Sequence, residues 1–535
     1  MGERIMTRKQ SLGILVVIIA LQCGAMFYWA SRKAGYYIDE LFTFEYVQNI
    51  NNHKDSIEYM DDSSLWKVED WLSVKDLKTR YTMEEGESVF DLPISLTAKK
   101  FFFDRNYMWI INALETVFGR GGPPKWICIC FNIFVWILFQ LLLFFFLDSC
   151  LGFDRRTSLL AVTMWGFCPM VLELSVYCRF YAWTLLLFFV AIVLHKLMWD
   201  GTSHKKNILY EVAAILTLYL AFKNSELIFV IGGALIFFFA VGLIAKKRYL
   251  QAAYYSLPLI VGGILFSWKK SHLLDVIFHP SSYASMGHGA TARLADYLVN
   301  SSMREKIVSL LYSLKSFAES VGGGMELTLL IVILGLMLYW AVRKHSLKLI
   351  DGFDWILIGA VAVFWLFCGL CGVTYTRYYS FMFLLIFILL WVLLDRMAGS
   401  GKISGVVYKV AFAVVLVASL MPFYRRDVTY VYEGLKPALE RVSAHSDLKA
   451  VVDYDPEFNF NAYYSTYMLD GSSSIYPVCR QPSNDVLPDL PEAFLFWESE
   501  YLAPSKTLGL IRRSGYSTYM LYASGKAIVY LCEKH

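Results

Sequence analysis

Long apolar runs alternate with short polar connections along most of this chain. About eleven of the runs approach the length of roughly 20 residues that a helix needs to cross a bilayer. Their approximate ranges are 12–30, 126–147, 157–174, 180–199, 208–222, 226–245, 252–267, 325–342, 354–374, 378–395 and 404–422. The pattern predicts an α-helical polytopic membrane protein.

The charges between the runs indicate an orientation. If the N-terminus is cytoplasmic, every second connection is cytoplasmic and should be short and basic. These connections carry Arg155 and Arg156; Lys196, Lys205 and Lys206; Lys246, Lys247 and Arg248; Arg343, Lys344 and Lys348; and Arg396 and Lys402. Arg425 and Arg426, after the last run, are the exception. We therefore expect a multi-pass membrane protein with a cytoplasmic N-terminus.

Composition agrees with the hydropathy pattern. Of the 535 residues, 57% are hydrophobic and 18% are charged, whereas soluble proteins have about 25% charged residues. This apolar composition makes membrane lipids expected partners. The net charge of +4 adds little, and no nucleic-acid partner is expected.

Three large segments are then expected outside the cytoplasm, at about 31–125, 268–324 and 424–535. In the first, NYMWIINALETVFG predicts an amphipathic helix, either on the membrane surface or packed on other outer loops. Its apolar face holds Tyr107, Ile110, Ile111, Leu114 and Phe118.

The last segment has the composition of a soluble domain. YEGLKPALERV predicts a helix, KAVVDY a strand, and STYMLYASGKAIVYLCEK two strands joined around Ser524. The expected domains are thus 1–423, in the membrane, and 424–535, a small extracytoplasmic α/β domain. Cys479 and Cys532 lie in this domain, and the sequence leaves open whether they form a disulfide.

Polar residues gather at the predicted outer ends of the spans. Asp39 and Glu40 follow the first span, Arg179 lies between the third and fourth, and Arg377 between the ninth and tenth. A guanidinium group suits a phosphate because it donates two parallel hydrogen bonds and stays charged. A carboxylate can take the proton of an attacking hydroxyl group. Each residue alone has a simpler explanation, since Asp39 could cap a helix and an arginine could anchor a helix end.

Three motifs resemble the GT-C superfamily of membrane glycosyltransferases, in particular bacterial relatives of the polyprenyl-phosphate-mannose protein mannosyltransferases. IDELFT is similar to their Asp-Glu motif after the first span. SVYCRFYAWTLLL matches a Ser-x-x-x-Arg-x-Tyr motif through Ser175, Arg179 and Tyr181. NYMWIINALETVFG resembles the stretch that leads into the second span, and RYYSFMFLLIFILL is a looser match to a late Arg-Tyr span.

The resemblance implies a GT-C-like fold that transfers a sugar on the outer membrane face. The donor is a polyprenyl-phosphate sugar, and the acceptor hydroxyl group belongs to a lipid, glycan or protein. Asp39 matches the family's general base, with Glu40 supporting it or contacting substrate. Arg179, and more loosely Arg377, would hold the carrier phosphate, and Tyr181 of the same motif is a further candidate for binding substrate.

The chain departs from the family pattern at two places. Tyr177 stands where an acid is frequent two residues before the motif arginine, and FDRNY replaces a His-Pro-Pro-Leu-Tyr stretch, so that Asp104 is a candidate for part of its role. Asp39, Glu40 and Asp104 are hard oxygen ligands, which leaves a divalent metal ion open.

Two other classes compete with a transferase. A secondary transporter would usually carry mid-membrane charges and an internal repeat, and the sequence has neither. A non-catalytic envelope-assembly protein on a transferase fold is the second alternative. Substitution of Asp39 separates it from an enzyme, because a scaffold should tolerate the change.

Overall fold

The structure is a computed structural model. It describes residues 6–48, 50, 70–75, 83, 87–103, 105–119, 124–201, 203–269, 301–322, 350–370, 376–399, 428–432, 435–454, 472, 474–479, 487, 489–498, 505–524 and 527–535. The predicted spans 325–342 and 404–422, and Asp104, lie outside these residues.

The described helices, in chain order, are α1 (Arg8–Arg32), α2 (Ile38–Gln48), α3 (Ile94–Phe103), α4 (Asn106–Phe118), α5 (Lys125–Phe145, continued by a π-turn at Phe146–Cys150), α6 (Arg155–Phe167), α7 (Pro169–Val176), α8 (Tyr181–Asp200), α9 (His204–Asn224), α10 (Leu227–Ala245), α11 (Tyr249–Lys269), α12 (Met303–Gly322), α13 (Gly352–Leu370), α14 (Thr376–Gly399), α15 (Lys436–Ser443) and α16 (Lys506–Arg513). The strands are β1 (Leu72–Ser73), β2 (Ala450–Tyr454), β3 (Ser474–Cys479), β4 (Ala493–Glu498), β5 (Tyr516–Ser524) and β6 (Ala527–Lys534).

Each predicted span is helical over most of its described residues, and the span 157–174 is interrupted at Cys168. Of those helices, five are long and apolar enough to cross a membrane, or six if the bent pair α6 and α7 forms one span. The pair is bent by 52°, because Pro169 has no N–H for a continuous helix and its ring clashes with the preceding turn. A membrane protein is thus supported, whereas the predicted total of eleven spans stays a prediction.

The chain divides into two compact units. The first contains residues 1–27, 132–175 and 180–428; the second contains 28–131, 176–179 and 429–535. The second unit therefore groups the first predicted outer segment with the C-terminal tail. The predicted functional domains, 1–423 and 424–535, stay a prediction.

Stacked aromatic rings form the centre of the first unit. Trp165 of α6 stacks on Phe139 of α5, with ring centroids 5.1 Å apart, and on Phe383 of α14, at 5.3 Å. Phe139 in turn stacks on Phe189 of α8 at 4.7 Å. Buried aromatic side chains contribute large contact areas. These stacked rings therefore pack α5, α6, α8 and α14 against one another.

The second unit contains a six-stranded sheet in the order β1-β3-β2-β4-β6-β5. The central strands β3, β2 and β4 are parallel, and the flanking pairs are antiparallel. The helix and the three strands that the sequence of the tail predicted are all present. The two-residue strand β1 comes from the first outer segment and was not predicted.

The sheet topology also bears on the two cysteines of the tail. Cys479 ends β3 and Cys532 lies in β6, with β2 and β4 between these strands. Neighbouring strands are about 4.8 Å apart, so the two residues are too far apart for a disulfide. The Cys532 thiol is free and buried, and burial raises its pKa to about 12.

Gly166 offers a test of packing between α1, α5 and α6. A methyl group at this position would lie 2.1 Å from Cδ of Gln22 and 2.4 Å from Nε2 of Gln140. Gln22 cannot move freely because its Nε2 donates to the Val162 carbonyl at 3.0 Å. We expect Gly166→Ala to lower the free energy of unfolding by about 2 kcal/mol, as overpacking does. Thermal unfolding in detergent measures this effect.

Gly233→Ala in α10 is the matched control, since nothing lies within 4 Å of its added methyl group. This substitution should leave the midpoint unchanged or raise it, because alanine favours a helix over glycine. Equal midpoints for the two variants would contradict the predicted packing at Gly166.

Candidate functional site

Helix α2 presents three polar side chains of the Asp-Glu motif to one neighbour. Asp39 and Thr43 are four residues apart and Glu40 and Thr43 are three apart, so all three share one side of the helix. Thr43 also donates its hydroxyl group to the Asp39 carbonyl at 3.1 Å. The helical spacing therefore creates a continuous polar edge within the second unit.

A tight turn between α7 and α8 meets this edge. The Arg179 N–H donates to the Tyr177 carbonyl at 2.7 Å, which is the hydrogen bond of a three-residue turn. Three consecutive residues of the turn then contact α2. The Tyr177 hydroxyl donates to Asp39 Oδ2 at 2.9 Å, the Cys178 N–H to Glu40 Oε1 at 2.7 Å, and Arg179 Nη1 to Thr43 Oγ1 at 2.9 Å.

Glu40 is fully buried and holds several donors. Its Oε2 accepts from Lys33 Nζ at 3.0 Å and from the Tyr37 N–H at 2.7 Å. The second bond is half of a capping box, in which a glutamate reaches back to the backbone before the helix. The Lys33 side chain is also fully buried. Glu40, rather than Asp39, thus caps the helix, and its carboxylate organises the site.

Asp39 differs from its neighbour in exposure. It is partly exposed, whereas Glu40 has no exposed area. Of the two acids, Asp39 is therefore the one that a bound molecule could reach. The two adjacent carboxylates occupy different environments, as is usual where one acid reacts and the other supports it.

Three tyrosine rings surround the Asp39 contact. Tyr177 is completely buried and stacks on Tyr430, with centroids 3.9 Å apart and planes 13° apart. Tyr37 meets both rings edge-on, at 6.3 Å and 6.0 Å. The aromatic contacts restrict rotation of the Tyr177 side chain, and its hydroxyl group is held in place.

The Cys178 thiol does not contribute a reactive thiolate. It is fully buried, and burial raises its pKa well above the ordinary value, with smaller contributions from Cys128 and Glu40. A thiol in this environment stays protonated and inert.

The remaining predicted site residues have separate surroundings. In the first unit, the Tyr181 ring meets the Tyr378 ring edge-on at 6.1 Å. Buried Arg377 lies over the same ring, with its guanidinium carbon 4.9 Å from the centroid. Tyr181 and Arg377 thus share one aromatic neighbour. Asp104 lies outside the described residues.

No three His, Cys, Asp or Glu side chains within the described ranges are placed to hold one metal ion. Asp104, the third candidate ligand beside Asp39 and Glu40, is outside those ranges. The metal question therefore stays open.

Sequence reasoning missed four residues that build the site: Lys33, Thr43, Tyr177 in its role as a donor, and Tyr430. Thr43 was visible as part of IDELFT, and Tyr177 as a departure from the family pattern. Lys33 and Tyr430 gave no local signal, because their contact joins positions 397 residues apart.

Helix α4 fixes the far end of α2. Asn112 donates to the Val47 carbonyl at 2.7 Å, and Gln48 donates to Glu115 Oε1 at 2.6 Å. Asn112 and Glu115 are both buried, whereas Phe118 is 76% exposed. Of the two interpretations left open for this helix, the contacts favour packing on outer segments. Phe118, at the end of the same apolar face, is not part of this packing.

Two solved structures of one protein are similar to this chain. No protein-family model and no curated protein matches the chain. The solved structure of ArnT from Cupriavidus metallidurans bound to undecaprenyl phosphate is similar, with a TM-score of 0.50 and 12% sequence identity over 97% of this chain and 98% of that one. The likeness confirms the GT-C-like fold that the motifs implied. The apo structure of ArnT has a TM-score of 0.46, with the same identity and coverage.

The buried Lys33–Glu40 pair should contribute strongly to folding. We expect Glu40→Gln to lower the free energy of unfolding by about 3 kcal/mol, since it leaves the Lys33 charge buried without its counter-ion. Asp200→Asn is the matched control at the partly exposed Lys196–Asp200 pair, where about 0.5 kcal/mol is expected. Chemical or thermal unfolding of both variants measures the difference, and equal losses would contradict a structural role for Glu40.

Glu115 should make stability depend on pH. Burial raises its pKa from 4.5 to about 7, although the Gln48 hydrogen bond acts in the opposite direction. The folded state then binds the proton more tightly than the unfolded state, so this contribution is complete below pH 4.5 and is lost as the pH rises to about 7. Glu115→Gln should remove that part of the pH dependence. Unfolding midpoints between pH 4 and pH 8 measure it.

Glu533→Gln, at an exposed position of β6, is the control and should keep the wild-type pH dependence. A Glu115→Gln variant with an unchanged pH profile would show that Glu115 is not the responsible group.

Proposed function

We propose that this protein is a membrane glycosyltransferase that moves a sugar from a polyprenyl-phosphate carrier to an acceptor hydroxyl group. The observation that carries the proposal is the partly exposed Asp39 carboxylate, held against the turn that contains Arg179, in a GT-C-like fold. ArnT, the similar structure, was solved with undecaprenyl phosphate bound. A carrier of that chemical class supplies both a long apolar tail and a phosphate.

In the proposed reaction, Asp39 accepts the proton of the acceptor hydroxyl group. The acceptor oxygen forms a bond to the anomeric carbon while the bond from that carbon to the phosphate oxygen breaks. The bonding electron pair leaves on the phosphate, and the carrier is released as polyprenyl phosphate. A single displacement of this kind inverts the anomeric centre. The transferred group is a hexosyl or pentosyl residue.

Arg179 and Arg377 act on the leaving phosphate in this proposal. Fixed cations stabilise charge that develops as the bond breaks, and they are most effective where water is excluded. Both arginines are buried, at 7% and 4% exposure. Tyr181 shares an aromatic neighbour with Arg377, and Asp104 is proposed to contact substrate. The reaction is assigned to the outer face of a bacterial plasma membrane, with membrane lipids around the spans.

The test is sugar transfer in membranes supplied with labelled polyprenyl-phosphate sugars. We expect Asp39→Asn to reduce transfer by about 10²- to 10⁴-fold, the contribution typical of a general base. Asp91→Asn, at an exposed position of the same outer segment, is the matched control at equal expression and should transfer like the wild type. Equal transfer by wild type and Asp39→Asn would remove Asp39 from the role of base.

A further inference from the structure

One short segment of the C-terminal tail contacts a neighbour of each acid of the site. We call residues 429–432 the strap. The Val431 carbonyl accepts from the Ala34 N–H at 2.9 Å, and the Tyr430 carbonyl accepts from Lys33 Nζ at 2.5 Å. Because Lys33 also pairs with Glu40, the strap is connected to one acid through a single buried ammonium group.

The other acid is connected through aromatic rings. Tyr430 is 5% exposed, and its ring lies face to face with Tyr177, whose hydroxyl group donates to Asp39 Oδ2. The closeness of the two rings, 3.9 Å between centroids, leaves no space for Tyr177 to turn its ring on that side. The position of the Asp39 hydrogen bond therefore depends on where the strap places Tyr430.

We infer that Tyr177 and Tyr430 are positioning residues for the Asp39 carboxylate, and that the strap brings the C-terminal tail into the reaction without supplying a catalytic group. The inference rests on the proposed function. A general base must be correctly oriented before the acceptor hydroxyl group arrives. The Tyr177 donor meets this need, since its hydrogen bond to the carboxylate fixes the position of one oxygen.

Tyr177→Phe tests the donor, because it removes only the hydroxyl group and keeps the stacked ring. With a labelled polyprenyl-phosphate sugar as donor, we expect kcat/KM to fall about tenfold, the typical effect of one hydrogen bond to a charged group. The loss should fall on kcat rather than on KM, because a bond that orients the base acts in the chemical step. A purely structural role would lower the amount of folded enzyme and leave the kcat and KM of the folded fraction unchanged.

Tyr430 provides a second, independent pair of variants. Tyr430→Ala removes the stacking partner and should lower kcat by a similar factor, again with KM nearly unchanged. Tyr430→Phe keeps the stacked ring and should rescue much of the loss seen with alanine. Tyr519→Phe, at an exposed position of β5, is the control for a tyrosine-to-phenylalanine change and should behave like the wild type. Unfolding midpoints in detergent show whether each variant is folded.

The outcomes separate this inference from the function on which it rests. Transfer by the wild type, with Tyr177→Phe showing unaltered kcat and KM, overturns the positioning role and leaves the proposed function intact. Tyr430→Ala with wild-type activity overturns the role of the strap alone. A wild type that transfers no sugar from any polyprenyl-phosphate donor overturns the proposed function and this inference with it.

Discussion

The contact of the Tyr177–Arg179 turn with α2 is the interaction on which the candidate site depends. Three consecutive residues of the turn bind three polar residues of one helical face, with distances of 2.7 to 2.9 Å. Each bond is short because the turn and the helix edge match in spacing. Loss of this match would separate the acids from the arginine of the second motif, although every residue would still be present in the chain.

The two acids differ in burial and in their hydrogen-bond partners. Glu40 accepts from a buried lysine and two backbone N–H groups, so the cost of taking its charge out of water is offset by several donors. Asp39 keeps partial exposure and one defined tyrosine donor. The sequence shows two adjacent acids of the same kind. In the folded protein they have different surroundings, because neighbouring residues of a helix point in different directions.

The sequence predicted the parts that depend on local physics. Apolar runs predicted helices, because the bilayer selects length and hydropathy residue by residue, and alternating residues predicted the strands of the tail. It did not predict β1, since two residues carry no periodicity. It also placed Glu115 away from the apolar face of α4, whereas Glu115 is buried and accepts a hydrogen bond from Gln48. The strap joins distant positions, and no local pattern encodes such a contact.

The tyrosine at position 177 changes the electrostatics of the acid that it contacts. An acid at this position, as the related motif often has, would add a second negative charge next to Asp39 and would require a nearby cation to keep both groups ionised. A tyrosine hydroxyl group donates a hydrogen bond without adding charge, and its ring supplies a surface on which Tyr430 can stack. With tyrosine at position 177, the side chain next to Asp39 is held by aromatic packing rather than by an ion pair. The packing partner, Tyr430, comes from the strap, which is distant in sequence.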